Sequence, residues 1–217
     1  MDFRKDTRAV IFDMDGVIVD SEPLHELAFR QIFEQMGFGG DRHGIEFEHY
    51  YGKSDRALWL DFIAKHQPTQ PLDELLSWKQ NHFLKILRER QPLFPPIPDL
   101  VADLAVRYSL AVASGSNHPV IDEVLAIRGL RRFFSAVASV EDVARPKPFP
   151  DVFLRAAELL NVPPASCVVI EDAAAGVQGA RDAGMRVIAI TNSLTRDRLS
   201  HAHVVTETYD EIRALLL

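Results

Sequence analysis

"VIFDMDGVIVDS", residues Val10 to Ser21, opens on three apolar residues, as a buried strand does, and then sets Asp13 and Asp15 one residue apart. Short β-branched runs of the same kind recur down the chain, at Ala9 to Phe12, Leu110 to Ala113, Ala136 to Ala138, Val168 to Ile170 and Val187 to Ile190. Between most of them lie helical patterns such as "PVIDEVLAIRGL" (119–130) and "PDVFLRAAELLNV" (150–162). Their apolar residues stand three and four apart, with Gly129 or Asn161 near their ends. Strand alternating with helix predicts an α/β fold, a Rossmann-like doubly wound parallel sheet covered by helices on both faces.

The alternation breaks once. From Val17 to about Arg90 the pattern is helical only, with "LHELAFRQIFEQMG" (24–37), "DRALWLDFIAKH" (55–66) and "LDELLSWKQNHFLKILRER" (72–90) all amphipathic. That stretch is too long for one crossover helix and reads as an inserted α-helical domain, residues 18–91, within a core made of residues 1–17 and 92–217. The proline-dense "QPLFPPIPD" (91–99) closes it, because such a segment is stiff and cannot continue a helix.

Composition excludes several classes. The 217 residues are 47% hydrophobic, enough for a packed interior, and the net charge of −7 with scattered basic residues offers no positive stripe for nucleic acid. The one cysteine, Cys167, lies in the apolar run "CVVI", so an internal disulfide is ruled out and the thiol reads as packing. No apolar stretch approaches twenty residues and "MDFRKDTR" is too polar for a signal peptide. The expectation is a cytoplasmic protein, monomer or weak dimer, with no membrane or nucleic-acid partner.

In open α/β sheets ligands bind beyond the carboxyl ends of the strands. Four of the five runs end in polar groups: Asp13 and Asp15, then "SGSN" (Ser114 to Asn117), the stretch leading to Lys147, and Glu171 with Asp172. So many carboxylates on one rim repel one another unless a cation lies among them, and oxygen ligands without a Cys or His cluster indicate a hard ion, Mg²⁺. A carboxylate beside such an ion can attack phosphorus, since the metal and a lysine screen the anionic substrate. Asp13 suits that role, and Asp15 that of proton donor to the leaving alkoxide. Gly16 permits the sharp turn between them, while the "SGSN" turn offers a hydroxyl and amides to phosphoryl oxygens. Of its two serines, Ser114 is the expected phosphate ligand and Ser116 reads as a helix cap.

Together "DMDGVIVDS", "VASGSN", "KPFPDVF" and "VIEDAAAGVQGARDAGM" resemble, in order, the four motifs of the haloacid dehalogenase superfamily, in the branch with β-phosphoglucomutase and phosphoglycolate-type phosphatases. The resemblance implies a sheet with the first strand central and a cap domain where the helical insertion falls. It also implies Asp13 as nucleophile, Asp15 as general acid and base, and Ser114, Gly115 and Lys147 as phosphate-binding residues. Mg²⁺ would be held by Asp13, the Asp15 carbonyl and Asp172, with Glu171 a ligand or a partner of one. In the cap, His25, Ser54 and Lys79 match positions that face the substrate in relatives, and "GKS" (Gly52 to Ser54) resembles a substrate-touching loop. Three departures stand out. Ala173 replaces a common serine, Asn117 stands where the mutase has a phosphate-contacting lysine, and "LFPPIPD" lacks the usual glycine before the next helix.

These residues imply a Mg²⁺-dependent phosphatase for a small phosphorylated metabolite, such as a sugar phosphate or phosphoglycolate, working through an aspartyl phosphate. A sugar-phosphate mutase is the alternative. A phosphoaspartate receiver module is disfavoured by the insertion and by Asp15. A dehalogenase is disfavoured too, since its leaving group needs no proton donor.

Overall fold

The computed structural model describes residues 2–50 and 55–217. Strands β1 (Ala9–Phe12), β2 (Ser109–Ala113), β3 (Phe134–Ala138), β4 (Cys167–Glu171), β5 (Arg186–Ile190) and β6 (Val204–Thr206) form one sheet in the order β3-β2-β1-β4-β5-β6. Every pairing is parallel. The strand order therefore reverses at a central β1, which creates the crevice where such sheets bind ligands. The sixth strand is absent from the sequence reading, because Val204–Thr206 offers only three residues, too short a run to separate from a loop by pattern.

The helices are α1 (Glu22–Gln35), α2 (Asp55–His66), α3 (Leu72–Arg90), α4 (Ile97–Ala105), α5 (His118–Ala126), α6 (Asp151–Leu160), α7 (Ala174–Asp182) and α8 (Tyr209–Leu216). Strands β1 and β4 are buried at every residue, which is why they read as continuous apolar runs without alternation. Ala9 and Ile11 point to one face and share a core with Val152, Phe153 and Ala156 of α6 and with Val177 and Ala180 of α7. Phe12 points to the other face, where it meets Phe134 edge-on at 5.7 Å. Cys167 is buried in the first of these cores, consistent with a packing role.

The chain divides into two compact units, Met1–Asp20 with Pro92–Leu217, and Ser21–Gln91. Residues up to Asp20 stay with the sheet for a local reason. The Met14 carbonyl accepts from the N–H groups of Val17, Ile18 and Val19 at 3.2, 2.8 and 3.1 Å, and the Asp20 N–H donates to the Pro92 carbonyl at 2.9 Å. The second unit is helical and has a core of its own, in which Phe29, Ile32 and Phe33 of α1 pack with Trp59, Phe62 and Leu75.

Candidate active site

The site begins where the strands stop. Asp13 follows β1 directly, and its N–H still reaches the Ile170 carbonyl of β4 at 2.9 Å; Ser114 follows β2 and bonds the Ala138 carbonyl at 3.0 Å. Each extends the ladder by one residue, so its backbone is fixed by the sheet. Glu171 ends β4, Asp172 follows it, and Lys147 arrives on the loop between β3 and α6. The Lys147 ammonium lies 2.6 Å from Asp13 Oδ1 and 2.7 Å from Glu171 Oε1. Asp13, Glu171 and Asp172 are 6%, 0% and 3% exposed, and one oxygen from each lies within 4.8 Å of the others.

Among the described residues, three buried carboxyl groups thus cluster at one ammonium, which pairs with Asp13 and Glu171. Burial, reinforced by Glu171, pushes the Asp13 carboxyl well above its usual range against the pull of Lys147. Burial and Glu171 together push Asp172 up to about 7. Burial works against the Lys147 ammonium, but Asp13 and Glu171 outweigh it and the net shift is upward. Among the described residues the cluster has more carboxyl groups than cations, and its all-oxygen donor set fits a hard divalent cation.

The three carboxyl groups are not equally available. Glu171 Oε1 holds Lys147, while its Oε2 accepts from the N–H groups of Asp172 at 2.8 Å and Ala173 at 2.9 Å. Glu171 therefore aims Lys147 and shapes the turn into α7, whereas Asp13 and Asp172 have more to offer a cation. Two glycines make room for this arrangement. A Cβ at Gly176 would overlap the Glu171 carboxyl, and one at Gly16, where φ is +75°, would strike the Asp172 carboxyl and the Ser193 hydroxyl. Among the described residues, nothing lies within 4 Å of where a side chain at Gly115 would stand.

Neither serine of the "SGSN" turn caps the following helix. Asn117 does so, with its Oδ1 accepting from the Val120 N–H at 3.3 Å. Ser114 is fully buried and its Oγ accepts from the Ser116 N–H at 3.0 Å. Ser116 sends its own hydroxyl to Asp15 Oδ2 at 2.9 Å, which corrects its reading as a cap. Two further contributors come from the loop after β5, the one of the five predicted runs whose end carries no candidate in the sequence reading. Ser193 donates its hydroxyl to Asp172 Oδ2, supplying from another strand a hydroxyl partner of the kind that Ala173 lacks. Asn192 donates its side-chain N–H to the Gly16 carbonyl at 2.7 Å and so braces the turn after Asp15. The rule that ligands gather at strand ends would have found both.

His25 and Lys79 belong to the helical unit, and Ser54 lies outside the described residues. Lys79 is 1% exposed. Its ammonium lies 2.7 Å from Asp55 Oδ2, hydrogen-bonds His25 Nδ1, and stands 5.1 and 4.9 Å from the ring centres of Phe29 and Phe83. The His25 ring stacks on Phe83 at 4.0 Å. Burial, then Lys79, holds the imidazole well below its usual pKa. Because Lys79 can only donate, His25 Nδ1 is the acceptor and its Nε2 carries the hydrogen. Asp55, at the start of α2, has no signal in the sequence that would pair it with Lys79 in advance.

The description of the haloacid dehalogenase-like hydrolases matches residues 7–184, a span that holds every strand-end residue named above except Asn192 and Ser193. The chain belongs to that family. Among curated relatives of this haloacid dehalogenase-like hydrolase, the fructose-1-phosphate phosphatase YqaB of Escherichia coli is 34% identical over 182 residues, covering 83% of this chain and 95% of the relative. The β-phosphoglucomutase of Bacillus subtilis is 34% identical over 195 residues, covering 84% and 83%. Among solved structures, CbbY from Rhodobacter sphaeroides in complex with xylulose-(1,5)bisphosphate superposes with a TM-score of 0.81 at 28% identity, covering 97% of this chain and 100% of that one. This hydrolase has, among its described residues, no helix long and apolar enough to cross a membrane.

Proposed function

We propose that this enzyme is a Mg²⁺-dependent phosphatase that hydrolyses a small phosphorylated metabolite through a phosphoaspartate on Asp13. The observation that carries the reading is the Lys147 ammonium, set between Asp13 Oδ1 at 2.6 Å and Glu171 Oε1 at 2.7 Å beside a buried carboxyl cluster. Asp13 and Asp172, with the Asp15 carbonyl, would hold the cation, which when bound offsets carboxylate charge and draws electron density from the phosphoryl oxygens. Lys147 and the Ser114 turn, with Gly115, bind and orient the phosphoryl group. An Asp13 oxygen forms the new bond to phosphorus while Asp15 gives its proton to the departing ester oxygen. Asp15 then takes a proton from the water that releases phosphate. The helical unit is proposed as the cap, with its Lys79–Asp55–His25 cluster as the candidate for substrate selection.

The similarity to a named fructose-1-phosphate phosphatase supports hydrolysis, and that to a β-phosphoglucomutase keeps the mutase as a second reading. Asn117 favours the first. It is neutral and its side-chain oxygen is engaged at the start of α5, so this turn lacks the charge-assisted contact a lysine would give a second phosphate. Purified enzyme tested on fructose 1-phosphate, a hexitol phosphate, phosphoglycolate and β-glucose 1-phosphate with glucose 1,6-bisphosphate should release inorganic phosphate. Glucose 6-phosphate appearing from β-glucose 1-phosphate faster than phosphate would establish the mutase instead.

The cation also has a signature in stability. A carboxyl whose pKa is raised in the folded state stabilises the fold fully at low pH, and that contribution is lost as pH rises through the folded value. For Asp172 the window runs from the ordinary aspartate value of 3.8 to about 7. The metal-free protein should therefore lose melting temperature as pH rises across it, and Mg²⁺ should raise melting temperature more at about pH 8 than at about pH 5.5. Thermal shift with and without Mg²⁺ measures this; equal shifts at both pH values would remove the carboxyl cluster as the cation site.

A further inference from the structure

We infer that Ser116 is a positioning residue for Asp15, and that the buried Ser139 fixes Ser116 for that task. The inference rests on the reading of Asp15 as the proton donor. Ser116 Oγ is 2.9 Å from Asp15 Oδ2, a bond between the loop after β2 and the loop after β1. The serine is released from the duties usual at such a place. Asn117 caps α5, and Ser114 Oγ takes the Ser116 N–H.

The Ser116 backbone is held from a third strand. Ser139, at the end of β3 and 0% exposed, donates its hydroxyl to the Ser116 carbonyl at 2.8 Å. The same Ser139 oxygen accepts from the Glu141 N–H at 3.1 Å, and the Ser139 N–H donates to Asp142 Oδ2 at 2.8 Å. A hydroxyl has one hydrogen, and since a carbonyl can only accept, the Ser139 hydrogen goes to Ser116 while a lone pair of its oxygen takes the Glu141 N–H. Asp15 sits on a short loop beside a glycine, so its side chain needs such a tether to meet a leaving group repeatedly in one place.

The step this serves is balanced within the site. An Asp13 oxygen bonds to phosphorus, the bond from phosphorus to the ester oxygen breaks with its electron pair going to that oxygen, and the Asp15 proton joins it. An aryl oxygen leaves without help, whereas an alkyl oxygen needs that proton. Loss of the tether therefore affects alkyl esters selectively.

The test compares kcat/KM for p-nitrophenyl phosphate and for the best alkyl ester of the panel above, in wild type, Ser116→Ala, Ser116→Thr and Asp15→Asn, each checked by thermal melting. Ser116→Ala should lose about tenfold or more on the alkyl ester and less than about threefold on the aryl ester. Ser116→Thr, which keeps the hydroxyl, should restore most of the difference. Equal losses on both esters, or no loss on either, with Asp15→Asn still selective, overturn the role of Ser116 and leave the reading of Asp15 standing. If Asp15→Asn itself shows no preference between the esters, the reading of Asp15 fails and this inference with it.

Discussion

Asp13→Asn is expected to reduce turnover of every phosphate ester by about 10⁴-fold or more, and to leave the protein at least as stable as the wild type. The loss follows from removing the oxygen that forms the bond to phosphorus. The retained stability follows from the site's own electrostatics. Asp13 is buried beside Glu171 and Asp172, and its carboxyl is held well above the usual range, so a charged group there is a burden that a neutral amide of similar shape relieves. Asp15→Asn should fail differently. It keeps the nucleophile, so p-nitrophenyl phosphate still phosphorylates Asp13, but alkyl esters lose about a hundredfold to ten-thousandfold in kcat/KM. Steady-state kinetics on the two ester types, with phosphoenzyme measured after acid quench, separates the two variants. Phosphoenzyme accumulating in Asp13→Asn would count against Asp13 as the attacking group.

Lys147→Met should be the most destabilising single change at the site, and its effect should depend on pH. The lysine side chain is 14% exposed and bridges Asp13 and Glu171. Removing one partner of a buried ion pair costs about 3 kcal/mol or more, which for a chain of this size is about 6 °C or more in melting temperature. Protonation offers the orphaned carboxyl groups an escape, so the cost should be small at about pH 5.5 and full at about pH 8. Activity should fall by about 10²-fold to 10³-fold even where the variant is folded, because the cation no longer meets the phosphoryl oxygens. Melting curves across pH test the first part. A loss of stability that is the same at both pH values would mean that Lys147 supports packing alone, through its stem and its approach to the Phe153 ring at 5.0 Å.

Much of the fold is legible in the sequence. Five of the six strands are visible as short apolar runs, continuous in β1 and β4, which are buried at every residue, and interrupted by the exposed Ser135 in the edge strand β3. Helices α1 and α3 of the second unit are visible for the opposite reason, since each buries apolar residues at helical spacing on one face, whereas α2 departs from the amphipathic expectation: its apolar residues run nearly all round it and Leu60 is exposed. Asp13, Ser114, Lys147, Glu171 and Asp172 could be placed on one rim because strand ends are where the chain must turn polar. The remainder depends on contacts between distant residues. No pattern in "SGSN" says that Asn117 will take the cap and leave Ser116 to reach a carboxyl 101 positions away. Nor does any pattern say that Asp55 will meet Lys79, or that Gly176 must lack a side chain because Glu171 lies over it. Ser193 was within reach of sequence reasoning, since it stands just past β5, but a lone hydroxyl there carries less signal than paired carboxylates.

The central claim is that the phosphoryl group passes through Asp13. The most direct measurement mixes the enzyme and Mg²⁺ with p-nitrophenyl phosphate, quenches in acid within the first turnovers, and maps the phosphorylated peptide by mass spectrometry after borohydride reduction of the acyl phosphate. The account predicts label on the peptide carrying Asp13, reduced at that residue and absent from Asp13→Asn. Label on any other residue, or none while phosphate is being released in a burst, would contradict it.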